Sequence, residues 1–131
     1  MDVRREVVVD ADPERVWEAL TEPALLEQWL AADVDFEPCE GGRVVARDGD
    51  GGGRSGLVER FERPHSLVVR WWDDEGTGST VAISVDEVAG GCLVRVVETA
   101  DWTPAGAAMA SVAWDMRFYA LARVAGLVPV A

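Results

Sequence analysis

The chain predicts an α+β domain in which a curved antiparallel sheet of about six or seven strands wraps a long C-terminal helix, with two short helices after the first strand. Three observations predict it. Between residues 34 and 99 the sequence breaks into short apolar segments separated by glycine-containing turns. The links between these segments are too short for the crossover of a dozen or more residues that parallel pairing requires. After Trp102-Thr103-Pro104 the pattern changes to an alanine-, methionine- and leucine-rich run over 105–125 with no internal proline.

The elements follow in order. Over 3–10 the sequence alternates, with Val3, Arg5, Val7 and Val9 on one face, which is the period of a strand. Asp12-Pro13 then announces a helix over 13–20: the aspartate can cap free amides, and proline fits the first helical position because its missing N–H has no intrahelical partner there. Pro23 ends this helix and opens a second, whose apolar stripe is Leu25, Leu26, Trp29 and Leu30. Strands are expected at 34–37, 43–47, 55–63, 66–73, 79–86 and 92–99, joined by turns rich in glycine, aspartate and proline. The terminal helix over 105–125 should be about 30 Å long. It is apolar on two sides: Trp114, Phe118 and Leu121 gather on one face and Met109, Val112 and Met116 nearly opposite. A surface helix needs one apolar stripe, so a second implies burial, a partner or a cavity. Asp115, Arg117 and Arg123 within its length argue against a membrane span.

One domain over 1–131 is expected, because a chain of 131 residues falls in the single-domain range. All 12 basic residues are arginine, set against 24 acidic ones, for a net charge of −12. Such a surface repels phosphate backbones, which argues against nucleic acid as a partner. Cys39 and Cys92 are far apart with no second ligand at zinc-site spacing, so they read as reduced thiols. The N-terminal residues lack the uncharged core of a signal peptide, and a cytoplasmic location is expected.

The order of elements resembles the START-like, or SRPBCC, superfamily with its helix-grip (Bet v-like) fold. Within it the chain is similar to the branch of the heat-shock-protein-90 ATPase activator homologues. The residues that carry the resemblance are the run 11–23 (Ala-Asp-Pro-Glu-Arg-Val-Trp-Glu-Ala-Leu-Thr-Glu-Pro), Leu26 with Gln28-Trp29-Leu30, Gly41-Gly42, Gly56 with Val58-Glu59, and Leu67-Val68-Val69-Arg70-Trp71. The resemblance implies a ligand held between sheet and helix, with co-chaperone activity, aromatic cyclisation (as in polyketide cyclases) or lipid carriage among the uses of the wider group. Fold alone selects none of these.

Strand alternation supplies candidate pocket residues. Leu67, Val69 and Trp71 should face inward because the opposite face of their strand carries Arg70; Val81, Ile83 and Val85, and Val94 and Val96, follow the same rule. Leu57 and Phe61 share a face with Glu59, and Val94 and Val96 share one with Glu98, so two carboxylates are expected in an otherwise apolar interior. Each is read as a structural ion pair or strand-end group, as a polar anchor for a ligand, or as a general acid or base. Trp17, Trp29, Trp71, Trp102 and Trp114 are candidates to line the cavity, with core packing as the alternative, above all for Trp17. The candidate ligand-binding set is completed by Met109, Val112 and Met116.

Other motifs carry less. His65, the one histidine, lies in a proline turn with no nucleophile nearby, against a triad. Asp48, Asp50, Gly53 and Glu59 echo a calcium loop, but Gly52 stands at a ligand position and the flanks read as strands, so no metal site is expected. No helix follows the glycines at 49 and 51–53, and the chain has no lysine, which excludes a phosphate cradle there. No cofactor is expected. A binding module for a small hydrophobic molecule is favoured over an enzyme, with a homodimer or a chaperone partner as the alternative.

Overall fold

A computed structural model describes residues 2–126 of the chain. Strand β1 (Asp2–Val9) leads into helix α1 (Pro13–Thr21) and the single-turn helix α2 (Pro23–Leu26). Six further strands follow, β2 (Asp33–Phe36), β3 (Arg43–Arg47), β4 (Gly53–Glu62), β5 (Ser66–Asp73), β6 (Gly78–Val88) and β7 (Gly91–Thr99), and then helix α3 (Pro104–Gly126). All seven strands join one antiparallel sheet in the order β1-β7-β6-β5-β4-β3-β2. This is the predicted α+β helix-grip architecture, with element boundaries within about two residues of those expected except in α2, which ends at Leu26 so that Trp29 and Leu30 of its expected stripe lie in the turn that follows.

Local chemistry sets the ends of the first helices. Asp12 accepts a hydrogen bond from the Arg15 amide at 2.9 Å, and Pro13 occupies the first turn, so the free amides of α1 are capped as expected. At the far end the Thr21 hydroxyl donates to the Trp17 carbonyl at 2.7 Å, and Pro23 starts α2. These two helices close one end of the grip: Val16, Trp17, Leu20, Leu26 and Trp29 all sit in the core.

The sheet's inner face is apolar where alternation placed it. Leu67, Val69 and Trp71 of β5, Val81, Ile83 and Val85 of β6, and Val94 and Val96 of β7 are buried. In β4 the expectation fails. Val58 pairs with Val69 and Arg60 with Val68, so Glu59 is an extra residue in a β-bulge. A bulge switches the face on which the alternation runs. Beyond it Phe61 points inward and meets the Trp17 ring edge-on at 5.3 Å. Before it the inward residues are Val58, Gly56 and Arg54, while Leu57 and Glu59 face solvent. Gly56 lies opposite Trp71, and a Cβ there would collide with the Arg70 carbonyl oxygen, so the close approach of β4 to β5 at this point requires glycine.

Helix α3 buries one stripe, Trp114, Phe118, Leu121 and Ala125, at the spacing of a single helical face. It lies closest to β1 and α1, and Arg5 reaches from β1 to Asp115 of α3 at 2.8 Å. Both partners of that pair are exposed enough that it adds less than about 1 kcal/mol. The second apolar stripe does not face the interior: Met109 is 74% and Met116 70% exposed, and Val112 and Tyr119 lie beside them. Of the three explanations that a second stripe admits, burial against the described residues and the lining of their cavity are therefore excluded. Among the described residues no helix is long and apolar enough to cross a membrane.

Candidate ligand-binding site

Between the sheet, α2 and α3 lies an apolar void of about 30 Å³. Its walls are Leu20, Leu26, Trp29 and Leu30 from the helical end, Phe36 and Val44 from the short edge strands, Leu67, Val69, Trp71, Val81 and Ile83 from the sheet floor, and Trp114 from α3. None of these side chains is charged. A volume of this size holds about one or two waters, whereas pockets for drug-sized ligands run to roughly 300 Å³ or more. The open cavity expected from the sequence is thus largely filled, because three indoles converge on it. Larger depressions exist, such as one of about 390 Å³ along Arg4, Glu6 and Arg95, but these are more open and carry charged side chains in their walls.

The indoles are held by their N–H groups. Trp29 donates to the Ala19 carbonyl at 2.7 Å. Trp71 donates to the Ser79 hydroxyl at 2.9 Å, and Trp114 to Oε1 of Glu98 at 2.9 Å. Glu98 is 1% exposed, the one buried acidic residue of the described chain. Its Oε2 accepts from the Ser79 hydroxyl at 2.6 Å and from Nη1 of Arg54 at 3.0 Å. Both oxygens are therefore engaged, and two of the three donors orient the tryptophans that wall the void. Arg54 also stacks over Trp71 at 5.3 Å and Arg117 over Trp114 at 4.9 Å. Burial, and then the nearby Arg54 cation, hold the Arg117 guanidinium below its usual pKa, with Glu98 and Asp48 acting in the opposite sense.

Of the residues singled out in the sequence, Trp29, Val69, Trp71, Val81, Ile83 and Trp114 meet around the void. Val94 and Val96 are fully buried in β7 but do not line it, and Phe61 belongs to the far side of α1 against Trp17. Five expected pocket residues, Leu57, Glu59, Met109, Val112 and Met116, are corrected by their surroundings. Leu57 is 40% exposed, and Glu59 stands outside with Arg70 at 3.7 Å, because the bulge displaces both. With them Glu59 ceases to be a pocket carboxylate. Met109, Val112 and Met116 point away from the sheet because they occupy the helix face opposite Trp114.

Arg54, Ser79 and Arg117 were not foreseen. Arg54 was hidden by the bulge. Ser79 could have been found, since it stands two residues before the inward-facing Val81. The remaining reactive groups are quiet. Burial raises the Cys92 thiol pKa, which disfavours a reactive thiolate, and Cys39 is exposed. The His65 ring donates to, or lies against, the Val85 carbonyl at 3.2 Å. Among the described residues no group of histidine, cysteine or carboxylate side chains is placed to hold a metal ion.

The fold and its apolar centre define a START-like helix-grip domain, an architecture of the ligand-binding type in general. The profile of the family described as "Activator of Hsp90 ATPase homolog 1-like protein" matches residues 10–126, and the chain belongs to that family. Among solved structures, protein MLL2253 of Mesorhizobium loti is 26% identical, with a TM-score of 0.86 over 95% of this chain and 96% of that one. DynU16, from the dynemicin biosynthetic locus, is 25% identical with a TM-score of 0.86 over 93% of this chain, which spans 46% of that protein. The Aha1 dimer of Colwellia psychrerythraea shares the fold, at 19% identity and a TM-score of 0.79 over 97% of each chain. No curated protein matches the chain.

Proposed function

We propose that the domain binds one small hydrophobic molecule, aromatic, acyl or lipid-like, between the sheet and α3. The observation that carries this reading is the apolar void walled by uncharged side chains, three tryptophans among them. Entry requires the void to widen. Helix α3 lies closest to β1 and α1 at one side of the sheet and spans the rest through Trp114 and Phe118, so the rings, rather than a backbone ladder, are what a ligand displaces. Family membership agrees with this use of the fold, and a cytoplasmic location would keep the unpaired thiols Cys39 and Cys92 reduced. Because both Glu98 oxygens are committed to Trp114, Ser79 and Arg54, the carboxylate acts as a strut for the site and not as a general acid or base.

A hydrophobic fluorophore titrated into the protein should show one saturable site and quench tryptophan emission. In Val69→Phe, which extends the sheet floor into the void, the affinity should fall at least about tenfold. Unchanged binding by a variant whose thermal transition shows it folded removes the reading.

A second reading rests on a different observation, the exposed stripe Met109, Val112, Met116 and Tyr119. We infer that a second copy of this chain covers it, a reading supported by the dimeric state of the Colwellia psychrerythraea protein with this fold. Light scattering over a concentration series should give twice the chain mass, and Met116→Glu should return it to the single-chain mass. A single-chain mass at all concentrations excludes the dimer.

A further inference from the structure

The three indoles that wall the void are not held alike. Trp71 stands in a strand paired on both sides, beneath the Arg54 guanidinium, and its N–H reaches the buried Glu98 through the Ser79 hydroxyl. Trp114 stands within the long helix, beneath Arg117, and donates to Glu98 itself. Trp29 lies in the turn after α2, and among the described residues no cation stacks on it. Its N–H goes to a neutral carbonyl, that of Ala19. Hydrogen bonds to an ionised group are roughly twice as strong as neutral ones, so Trp29 is the ring most easily displaced.

The segment that carries it is also tied locally. The backbone amides of Leu25 to Leu30 bond to Glu22 or within the segment, and none of them reaches the sheet or α3. One side of the segment presents Leu26, Trp29 and Leu30 to the void, while Leu25 and Gln28 line an open depression of about 470 Å³ against Ala120 and Val124 of α3. The segment is thus a partition between the void and solvent, with room outside for the ring to swing into.

The acceptor that holds Trp29 follows from the sequence. In an α-helix the carbonyl of residue 19 accepts from the amide of residue 23, and residue 23 is proline, which has no N–H. The proline that ends α1 therefore leaves a carbonyl without its helical donor on a buried residue, and the Trp29 indole supplies the missing hydrogen bond. When the ring leaves, that carbonyl loses its donor in apolar surroundings, which is unfavourable. A molecule that takes the place of the ring restores the hydrogen bond only if it brings a donor of its own.

We propose that the Trp29 indole is the chain's own occupant of the ligand position, and that an aromatic molecule carrying one N–H or O–H donor replaces it, with its ring among the apolar walls and its donor on the Ala19 carbonyl. This rests on the ligand-binding reading above and narrows it from hydrophobic molecules in general to aromatic ones with a single donor.

The test compares indole with N-methylindole, which share the ring and differ in the donor, while NMR of the isotope-labelled full chain follows the six tryptophan N–H signals. In the protein alone the Trp29 N–H should exchange with solvent at least about tenfold faster than those of Trp71 and Trp114. Saturating indole should remove its remaining protection and leave the other two protected. Indole should bind at least about tenfold more tightly than N-methylindole. Trp29→Phe, which keeps a ring without a donor, should bind indole about fivefold more tightly than the parent, because its closed form no longer satisfies the carbonyl. Trp72→Phe, on an exposed residue, should leave indole binding unchanged. Thermal transitions confirm that both variants are folded. A Trp29 N–H that exchanges more slowly than that of Trp114, or that stays protected in the complex, overturns the proposal. Equal affinity for the two indoles, or binding of the hydrophobic fluorophore without binding of indole, does so as well, and all four results leave the broader reading standing. If neither fluorophore nor indole binds, the ligand-binding reading fails and this one with it.

Discussion

Replacing Glu98 by glutamine is expected to lower the stability of the fold by about 2–4 kcal/mol. The side chain is isosteric, so the effect comes from hydrogen bonding and charge and not from packing. Glu98 receives three donors, the indole N–H of Trp114, the hydroxyl of Ser79 and the guanidinium of Arg54. A glutamine offers one acceptor oxygen and turns an NH2 group toward at least one of these donors. The buried Trp114 N–H or the Ser79–Arg54 pair is then left facing another donor, and Arg54 loses the charge that partners it. A urea titration should show a lower midpoint at an unchanged slope. If the midpoint stays within the spread of surface variants, the carboxylate is not the strut it is taken to be here. Arg54 is partly exposed, so Arg54→Met should cost less than Glu98→Gln even though it breaks the same ion pair.

Truncating Trp114 to alanine should cost about 3–5 kcal/mol. This ring is 1% exposed, meets Phe118 edge-on at 5.6 Å, walls the void and donates to Glu98. Its loss removes packing, opens a cavity next to an existing void, and leaves Glu98 Oε1 without its donor. Trp114→Phe separates these contributions: it keeps most of the packing and loses the N–H, at a cost of about 1–3 kcal/mol. Both values are read from denaturant midpoints. Should the phenylalanine variant match the parent, the hydrogen bond to Glu98 carries no stability and the ring serves as packing alone.

Much of this arrangement was legible before any coordinates. Alternation is a local property, and in β5, β6 and β7 nothing interrupts it, so Val69, Trp71, Val81, Ile83, Val96 and the inward turn of Glu98 could be read directly. The cap at Asp12 and the proline at each helix start are equally local. The face of β4 was not legible, because one inserted residue shifts every side chain before it to the other side of the sheet. That single residue removed Leu57 and Glu59 from the interior and put Arg54 there. One trace of it was present in the sequence: Gly56 stands where an inward-facing strand would otherwise carry a side chain.

The two stripes of α3 show the same division. Their existence follows from helical spacing, but which stripe faces the sheet depends on what the sheet offers. Trp114 faces inward, where Glu98 takes its N–H, and the methionines on the opposite side of the helix face out. Sequence by itself determined the class of fold, the order of its elements and most of the apolar floor, since each depends on neighbours along the chain. Only the tertiary structure decided how much room is left between the layers and which charges meet there. Both depend on residues such as Arg54, Ser79, Glu98 and Trp114, which lie on separate elements and are brought together only when the sheet closes around the helix.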